Sequence, residues 1–249
     1  MRSMRILIVN PNTSAAMTEK IGVAARAVAA TGTEIIAVNP ADGPVSIEGY
    51  YDEAFSVPGL LAEITKGEAS GVSAHIVACF DDTGLEAARS LANAPVIGIG
   101  EAAFHLASIV AHRFSVITTL SRSIAAIETN LVKYGLSHRC AKVRACEVPV
   151  LALDDPASDA FNQISAEIDR ARHEDRAEAV VLGCAGMADL AARLTEQHGF
   201  PVIDGVSSAV KLAEACGALG LKTSKTGAYA APLPKAYLGH FAALAPRTR

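Results

Sequence analysis

Hydrophobic positions in this chain come in short runs, each closed by turn or cap residues and followed by a stretch of helical periodicity. Four runs stand out: Arg5-Ile-Leu-Ile-Val9, Ala74-His-Ile-Val-Ala-Cys79, Phe114-Ser-Val-Ile-Thr118 and Ala177-Glu-Ala-Val-Val-Leu182. Shorter runs lie at Glu34–Val38, Pro95–Gly98, Ala145–Pro149 and Pro201–Asp204. Between them the spacing predicts helices over 14–30, 57–69, 122–134 and 158–174. Strands alternating with helices of this length read as βαβ units and parallel sheets.

The pattern repeats. The segment RILIVNPNTS from Arg5 aligns with FSVITTLSRS from Phe114, an offset of 109 positions. VACFDDTGLEAAR and VLGCAGMADLAAR align at an offset of 105, from Cys79 to Cys184, and APVIGIGEAAFHLA aligns with FPVIDGVSSAVKLA at 106. Three matches near one spacing and in one order describe two copies of one lobe. The expected fold is α/β: two pseudo-symmetric Rossmann-like lobes with parallel sheets and a cleft between them. Residues 1–108 with 208–249 are expected to form the first lobe and 109–207 the second.

The repeat pairs two cysteines at the ends of central strands. In parallel α/β sheets, ligands bind beyond the carboxyl ends of the strands, where following helices offer free N–H groups. A single small cysteine reads as hydrophobic filler, and that is the reading for Cys140, Cys146 and Cys216. A duplicated pair, Cys79 and Cys184, reads instead as two thiols approaching one cleft from opposite sides.

A racemase removes a proton from one face of a carbon and returns one to the other. One thiolate and one thiol suffice, since a free cysteine titrates near ~8.5 and a helix N-terminus lowers it. No cofactor is required where a neighbouring carbonyl acidifies the C–H bond. The amides after each cysteine, at Phe80–Asp81 and Ala185–Gly186, are candidate donors for the oxygen that gathers charge. Neutral polar side chains end the equivalent strands: Asn10, Asn12, Thr13 and Ser14 in one lobe, Thr118 and Thr119 in the other. They suit a polar, uncharged ring, although Ser14, Ser121, Asp81 and Asp82 also fit as helix caps.

Composition narrows the classes. The chain has 249 residues, 51% hydrophobic and 19% charged, a soluble α/β profile. A net charge of −4 and 5% aromatic residues supply neither the basic patch nor the stacking platform of a nucleic-acid binder. No run approaches the ~20 apolar residues of a membrane span, and the N-terminus has no signal-peptide pattern, so a cytoplasmic protein is expected. The five cysteines show no CxxC pairing and the seven histidines no ligand spacing, so neither a disulfide framework nor a metal is expected. His75, four residues before Cys79, reads as a packed histidine rather than a base.

NPNTS at 10–14, SIEG at 46–49, ACFDDTGL at 78–85, RFSVITTLSRS at 113–123, VLGCAGM at 181–187 and PVIDGV at 201–206 together resemble the hydantoin racemases. These are members of the aspartate/glutamate/hydantoin racemase superfamily, alongside the allantoin racemases. The resemblance runs nearly end to end. It implies two-base racemisation at C5 of a hydantoin ring without a cofactor, with Cys79 and Cys184 at the catalytic positions. It places Asn10, Phe80, Thr118, Thr119, Gly183 and Ala185 along the cleft and Ile47 in a loop facing the substituent. It also implies a homo-oligomer acting on a small molecule.

The motif neighbourhoods hold no basic residue for a substrate carboxylate except Arg122, which favours a neutral ring. Phe80 beside the first thiol suggests an apolar rim and 5-monosubstituted hydantoins, with allantoin as the alternative substrate. A non-catalytic two-lobed small-molecule binder is the alternative of a different class. The segment Gly98-Ile-Gly-Glu-Ala-Ala103 mimics a dinucleotide fingerprint, but no acidic residue stands about 20 positions on.

Overall fold

The computed structural model describes residues 4–155 and 157–246. Residues 1–3 and 247–249, the outer ends of the expected first lobe, lie outside the described residues.

The first sheet holds β1 (Met4–Val9), β2 (Thr33–Val38), β3 (Ala74–Val77) and β4 (Val96–Gly98) in the order β2-β1-β3-β4. The second holds β5 (Phe114–Thr118), β6 (Cys140–Ala145), β7 (Ala179–Leu182) and β8 (Val202–Asp204) in the order β6-β5-β7-β8. All pairings are parallel. The two orders are the same once the second copy is renumbered, so the sequence repeat is a repeat of topology.

Helices connect the strands: α1 (Ala15–Val28), α2 (Tyr50–Ser70), α3 (Leu85–Leu91) and α4 (Ile99–Val110), then α5 (Ile124–Lys133), α6 (Ala160–Glu174), α7 (Ala191–His198) and α8 (Gly205–Ala218). The strand expected at 145–149 lies earlier, at Cys140–Ala145. Its exposed Lys142 and ion-paired Arg144 interrupt the apolar run that would have marked it. Beyond Ala145 the chain still hydrogen-bonds to the end of β5, but Glu147 turns to φ 54° and Pro149 ends the extension.

The central strands are continuous apolar runs because both faces are covered. Ile6, Ile8, Ile76, Val116 and Val181 face one large core that draws on both lobes. Leu7, Val9 and Val77 face an outer core with α2 and α3, and Ile117, Val180 and Leu182 face another with α6 and α7.

The middle core is built by an exchange. Helix α8, the last of the second copy, packs on the first sheet, while α4, the last of the first copy, packs on β7, β8 and α5. The two helices cross at their starts, where a Cβ on Gly205 would stand 2.6 Å from the Ile99 carbonyl oxygen. Glycine is required there by the closeness of the backbones.

Candidate active site

The segments beyond strands β1, β3, β5 and β7 line one cavity of about 420 Å³ including its open mouth. Asn10, Ile47, Cys79, Phe80, Thr118, Thr119, Gly183, Cys184 and Ala185 all border it. Two segments far apart in the chain thus deliver one cysteine each to the same space. Sequence reasoning did not single out Met17, Ala78, Ser123 or Val150, which carry no signal beyond being small or apolar, and it read Asp81 as a backbone donor or a helix cap.

The Asn-Pro-Asn-Thr-Ser turn is held by its own side chains. Asn10 Nδ2 donates to Asn12 Oδ1 at 2.8 Å and to Thr18 Oγ1 at 3.1 Å, and the Ser14 amide donates to Asn12 Oδ1 at 2.9 Å. Ser14 then caps α1 by accepting from the Met17 amide, whereas Ser121 makes no capping bond. In the second lobe the Thr118 hydroxyl donates to the Gly183 carbonyl. A Cβ on Gly183 would come within 3.0 Å of Ile117 O and Thr118, so a side chain there would push the two strand ends apart.

The Ser46–Gly49 loop crosses from the first lobe to the second. Glu48 accepts from the Val150 amide at 2.9 Å, while Thr13 N donates to Pro44 O at 2.9 Å and ties down the other side. Ile47 and Val150 are thereby held against the cavity.

Phe80 borders the cavity, but its ring is only 4% exposed. It packs edge-on to Phe104 with centroids 5.3 Å apart, in the middle core. The apolar rim expected from Phe80 is therefore not formed by its ring. The turn closed by the Asp82 amide on the Cys79 carbonyl sends the ring inward and leaves Asp81 as the next residue at the cavity.

Both thiols are harder to ionise than the sequence suggested. No regular helix starts directly behind Cys79: a turn intervenes before α3, and a 3-10 turn follows Cys184. The Asp81 amide at Cys79 and the Gly186 amide at Cys184 favour the thiolate instead. Burial outweighs these donors. It pushes the Cys184 thiol up to about 12 and Cys79 further still, with the Asp81 charge adding to the rise at Cys79. Thr83 Oγ1 lies 3.5 Å from Cys79 Sγ and favours the thiolate.

Asp82 explains the glycine pair at 98 and 100. Its carboxylate accepts from the Gly100 amide at 3.0 Å, the Glu101 amide at 2.8 Å and the Tyr134 hydroxyl at 2.8 Å. It caps α4 from a distance, in a left-handed turn at φ 51° that aspartate tolerates. A Cβ on Gly98 would stand 2.2 Å from Asp82 Oδ1. The dinucleotide-like spacing thus makes room for a carboxylate where a pyrophosphate would sit.

Other candidate groups lie outside the cavity lining. His75 is buried, with Nε2 2.9 Å from Glu68 Oε1. Ser165 Oγ, His198 and Asp169 line up at 2.9 and 3.1 Å like a hydrolytic triad, but Ser165 is buried and also takes the Gln197 amide, so the set ties α6 to α7. Among the described residues, no three His, Cys, Asp or Glu side chains are placed to hold a metal ion, and no helix is long and apolar enough to cross a membrane.

A two-lobed parallel α/β protein, with one cysteine from each copy of an internal repeat at a shared cavity, defines a narrow class. The chain belongs to the Asp/Glu/hydantoin racemase family, a family of isomerases whose model matches residues 6–213. It is 52% identical over 237 residues to a hydantoin racemase of Rhizobium meliloti, covering 95% of this chain and 98% of that protein. A hydantoin racemase of a Pseudomonas strain is 46% identical, with 95% of each chain covered. The solved allantoin racemase of Klebsiella pneumoniae superposes with a TM-score of 0.96 at 52% identity, over 98% of this chain and 100% of that one.

Proposed function

We propose that the protein racemises 5-monosubstituted hydantoins by two-base proton transfer at C5, with Cys79 and Cys184 as the two bases. The observation that carries the reading is that the paired cysteines of the repeat border one cavity from different lobes. In one direction the thiolate of one cysteine removes the C5 proton. The electron pair is held as an enolate on the adjacent carbonyl, and the thiol of the other cysteine protonates the opposite face. The reverse direction exchanges the roles. The raised thiol pKa values suit this chemistry, because a thiolate that is harder to form is a stronger base once formed.

The Asp81 and Gly186 amides are engaged with the sulfurs, so hydroxyl groups at the cavity, Thr119 and Ser123, are the better candidates to meet the enolate. The lining holds no basic residue for a substrate carboxylate, which suits an uncharged ring, and no step calls for a cofactor or metal. Kinship to hydantoin racemases supports the ring as substrate.

Allantoin, a hydantoin with a ureido group at C5, is the second reading. The inward-turned Phe80 ring and the presence of Asp81 at the cavity favour it, as does the likeness to an allantoin racemase. We also infer a cytoplasmic homo-oligomer. Five free cysteines fit a reducing compartment, and exposed Leu233, Leu238 and Phe241 offer apolar contact surface. Light scattering on the purified protein measures the assembly directly.

Polarimetry on enantiopure 5-benzylhydantoin, 5-isobutylhydantoin and allantoin tests the reading. Racemisation of at least one is expected, with no loss in a chelator. Cys79→Ser and Cys184→Ser should each lower the rate by roughly 100-fold or more, because serine is a far weaker acid at neutral pH. Each variant retains at most one-sided exchange of the C5 proton with D2O. Full two-way activity in either variant overturns the two-base reading, and a protein that binds without exchanging C5–H is the non-catalytic alternative.

A further inference from the structure

The segment beyond α8 is anchored to the first lobe at one end and bare along most of its length. Thr223 donates through its amide to the Asn93 carbonyl at 3.0 Å and through its hydroxyl to the Ala94 carbonyl at 2.8 Å. Lys225 Nζ donates to the carbonyls of Arg89 and Ser90 at 2.7 and 3.0 Å. Past these ties every residue from 230 to 243 is exposed. Among the described residues, none from 231 to 241 hydrogen-bonds to the rest of the chain, and the 3-10 turn Gly239–Leu244 rests on α2. Fixing backbone costs ~1–2 kcal/mol per residue, and within one chain this arm gains little burial to offset that cost.

The large apolar side chains left exposed concentrate in two stretches. Tyr50, Tyr51 and Phe55 stand at the start of α2, with the rings of Tyr51 and Phe55 4.9 Å apart, and Leu233, Leu238 and Phe241 stand on the arm. Tyr51 is 78% exposed and Leu238 87%. Charge divides the same two stretches. Residues 40–55 carry Asp42, Glu48, Asp52 and Glu53 with no Lys or Arg, whereas beyond Glu214 there are five Lys or Arg and no Asp or Glu. Glu48 is engaged with Val150, but Asp42 is exposed and Asp52 half-buried. Lys235, in the middle of the arm, is exposed and makes no ion pair among the described residues.

Because Gly239–Leu244 lies on α2, the arm and the helix share one face of the first lobe. A basic apolar arm beside an acidic apolar helix makes that face complementary to itself about a two-fold axis. We propose that its occupant is a second copy of this chain, each copy laying residues 230–243 across the start of α2 of the other. Lys235 then meets the acidic stretch, and the leucines of the arm cover Tyr51 and Phe55. Helix α2 begins directly after Gly49, so the arm of one copy closes against the segment that carries Ile47 in the other and walls the mouth of its cavity. The proposal rests on the homo-oligomer reading, to which it adds the surface, and does not depend on which ring is racemised.

The first test is carbodiimide cross-linking of the native full-length protein, with the products separated by mass under denaturing conditions and mapped as peptides. A bond between Lys235 and a carboxylate of 42–53 is expected in the double-mass species and not in the single-mass one. The same bond confined to the single-mass species means that each chain covers its own helix, and its absence from both means that the arm does not reach α2; either result overturns the proposal.

The second test is sedimentation velocity. Tyr51→Ser with Phe55→Ser, and separately Leu233→Ser with Leu238→Ser, should lower the assembled mass and weaken association at least 10-fold. All four positions are exposed, so far-UV circular dichroism should be unchanged. Val132→Ser, which removes an exposed apolar side chain from α5, should leave the mass as it was. The arm variant should also raise KM severalfold at concentrations where the copies separate, and an unchanged KM takes the arm away from the mouth. A monomeric unaltered protein overturns this proposal together with the homo-oligomer reading. An assembly that survives both double variants, or that weakens equally in Val132→Ser, overturns the surface alone.

Discussion

Phe80 and Asp81 are neighbours with opposite fates. Phe80→Ala should cost roughly 3 kcal/mol of stability, since it empties a packed aromatic site against Phe104, while leaving the preference among 5-substituents unchanged. Thermal denaturation and the substrate panel measure the two effects separately. Gly98→Ala should destabilise through a different cause, because its methyl group meets the Asp82 carboxylate and forces it off the start of α4. At this scale the sequence was a good guide to which residues meet. The Cys79–Cys184 spacing and the neutral strand ends led to one cavity. Where side chains point was less legible: the turn after Cys79 decides that Phe80 faces inward, and no pattern of apolar residues encodes that turn.

Among the elements, the segment from Pro44 to Gly49 depends on few contacts. Glu48→Ala removes the carboxylate that accepts from Val150 across the cavity, so the predicted outcome is a severalfold rise in KM with a smaller change in kcat, read from steady-state kinetics. A stronger tie joins the end of α2 to β3 and the turn before β4. Burial would raise the Glu68 carboxyl, but the His75 ring and the amides of Asn93 and Ala94 together bring it down to about 2. A carboxyl lowered on folding contributes stability above its unfolded value and loses it as the pH falls. Glu68 therefore stabilises the fold above about 4.5, and its contribution disappears between there and about 2. Glu68→Gln should cost on the order of 1–2 kcal/mol at neutral pH after allowing for solvent screening, and flatten the acid limb of a stability-against-pH curve. The strand β6 marks the limit of reading elements from apolar runs. Arg144 is buried there because Asp175 and Glu174 pair with it at 2.6 and 2.7 Å, and a charge neutralised by distant residues is indistinguishable in sequence from an exposed one.

For the whole molecule, the middle core draws on both copies of the repeat, so neither copy buries its own apolar surface alone. Denaturant unfolding followed by far-UV circular dichroism and by tyrosine fluorescence should give one coincident transition, and a fragment ending at residue 108 should not fold by itself. Two separated transitions would contradict this. The internal repeat made the two-lobed architecture legible, since matched segments at a nearly constant offset report topology directly. Residues 208–249 were expected with the first lobe; that α4 in return covers the second sheet was not legible, because an apolar helix face does not say which sheet it will cover.

That crossing also constrains how such a chain can be recombined. Joining the first half of one relative to the second half of another would bring together two helix starts that never adapted to each other, at the point where Gly205 lies against Ile99. Exchanging only the segment that carries Ile47 leaves this seam intact. Grafts of that loop should therefore yield folded hybrids where half-and-half chimeras fail, which makes the loop the practical place to redesign what the cavity accepts.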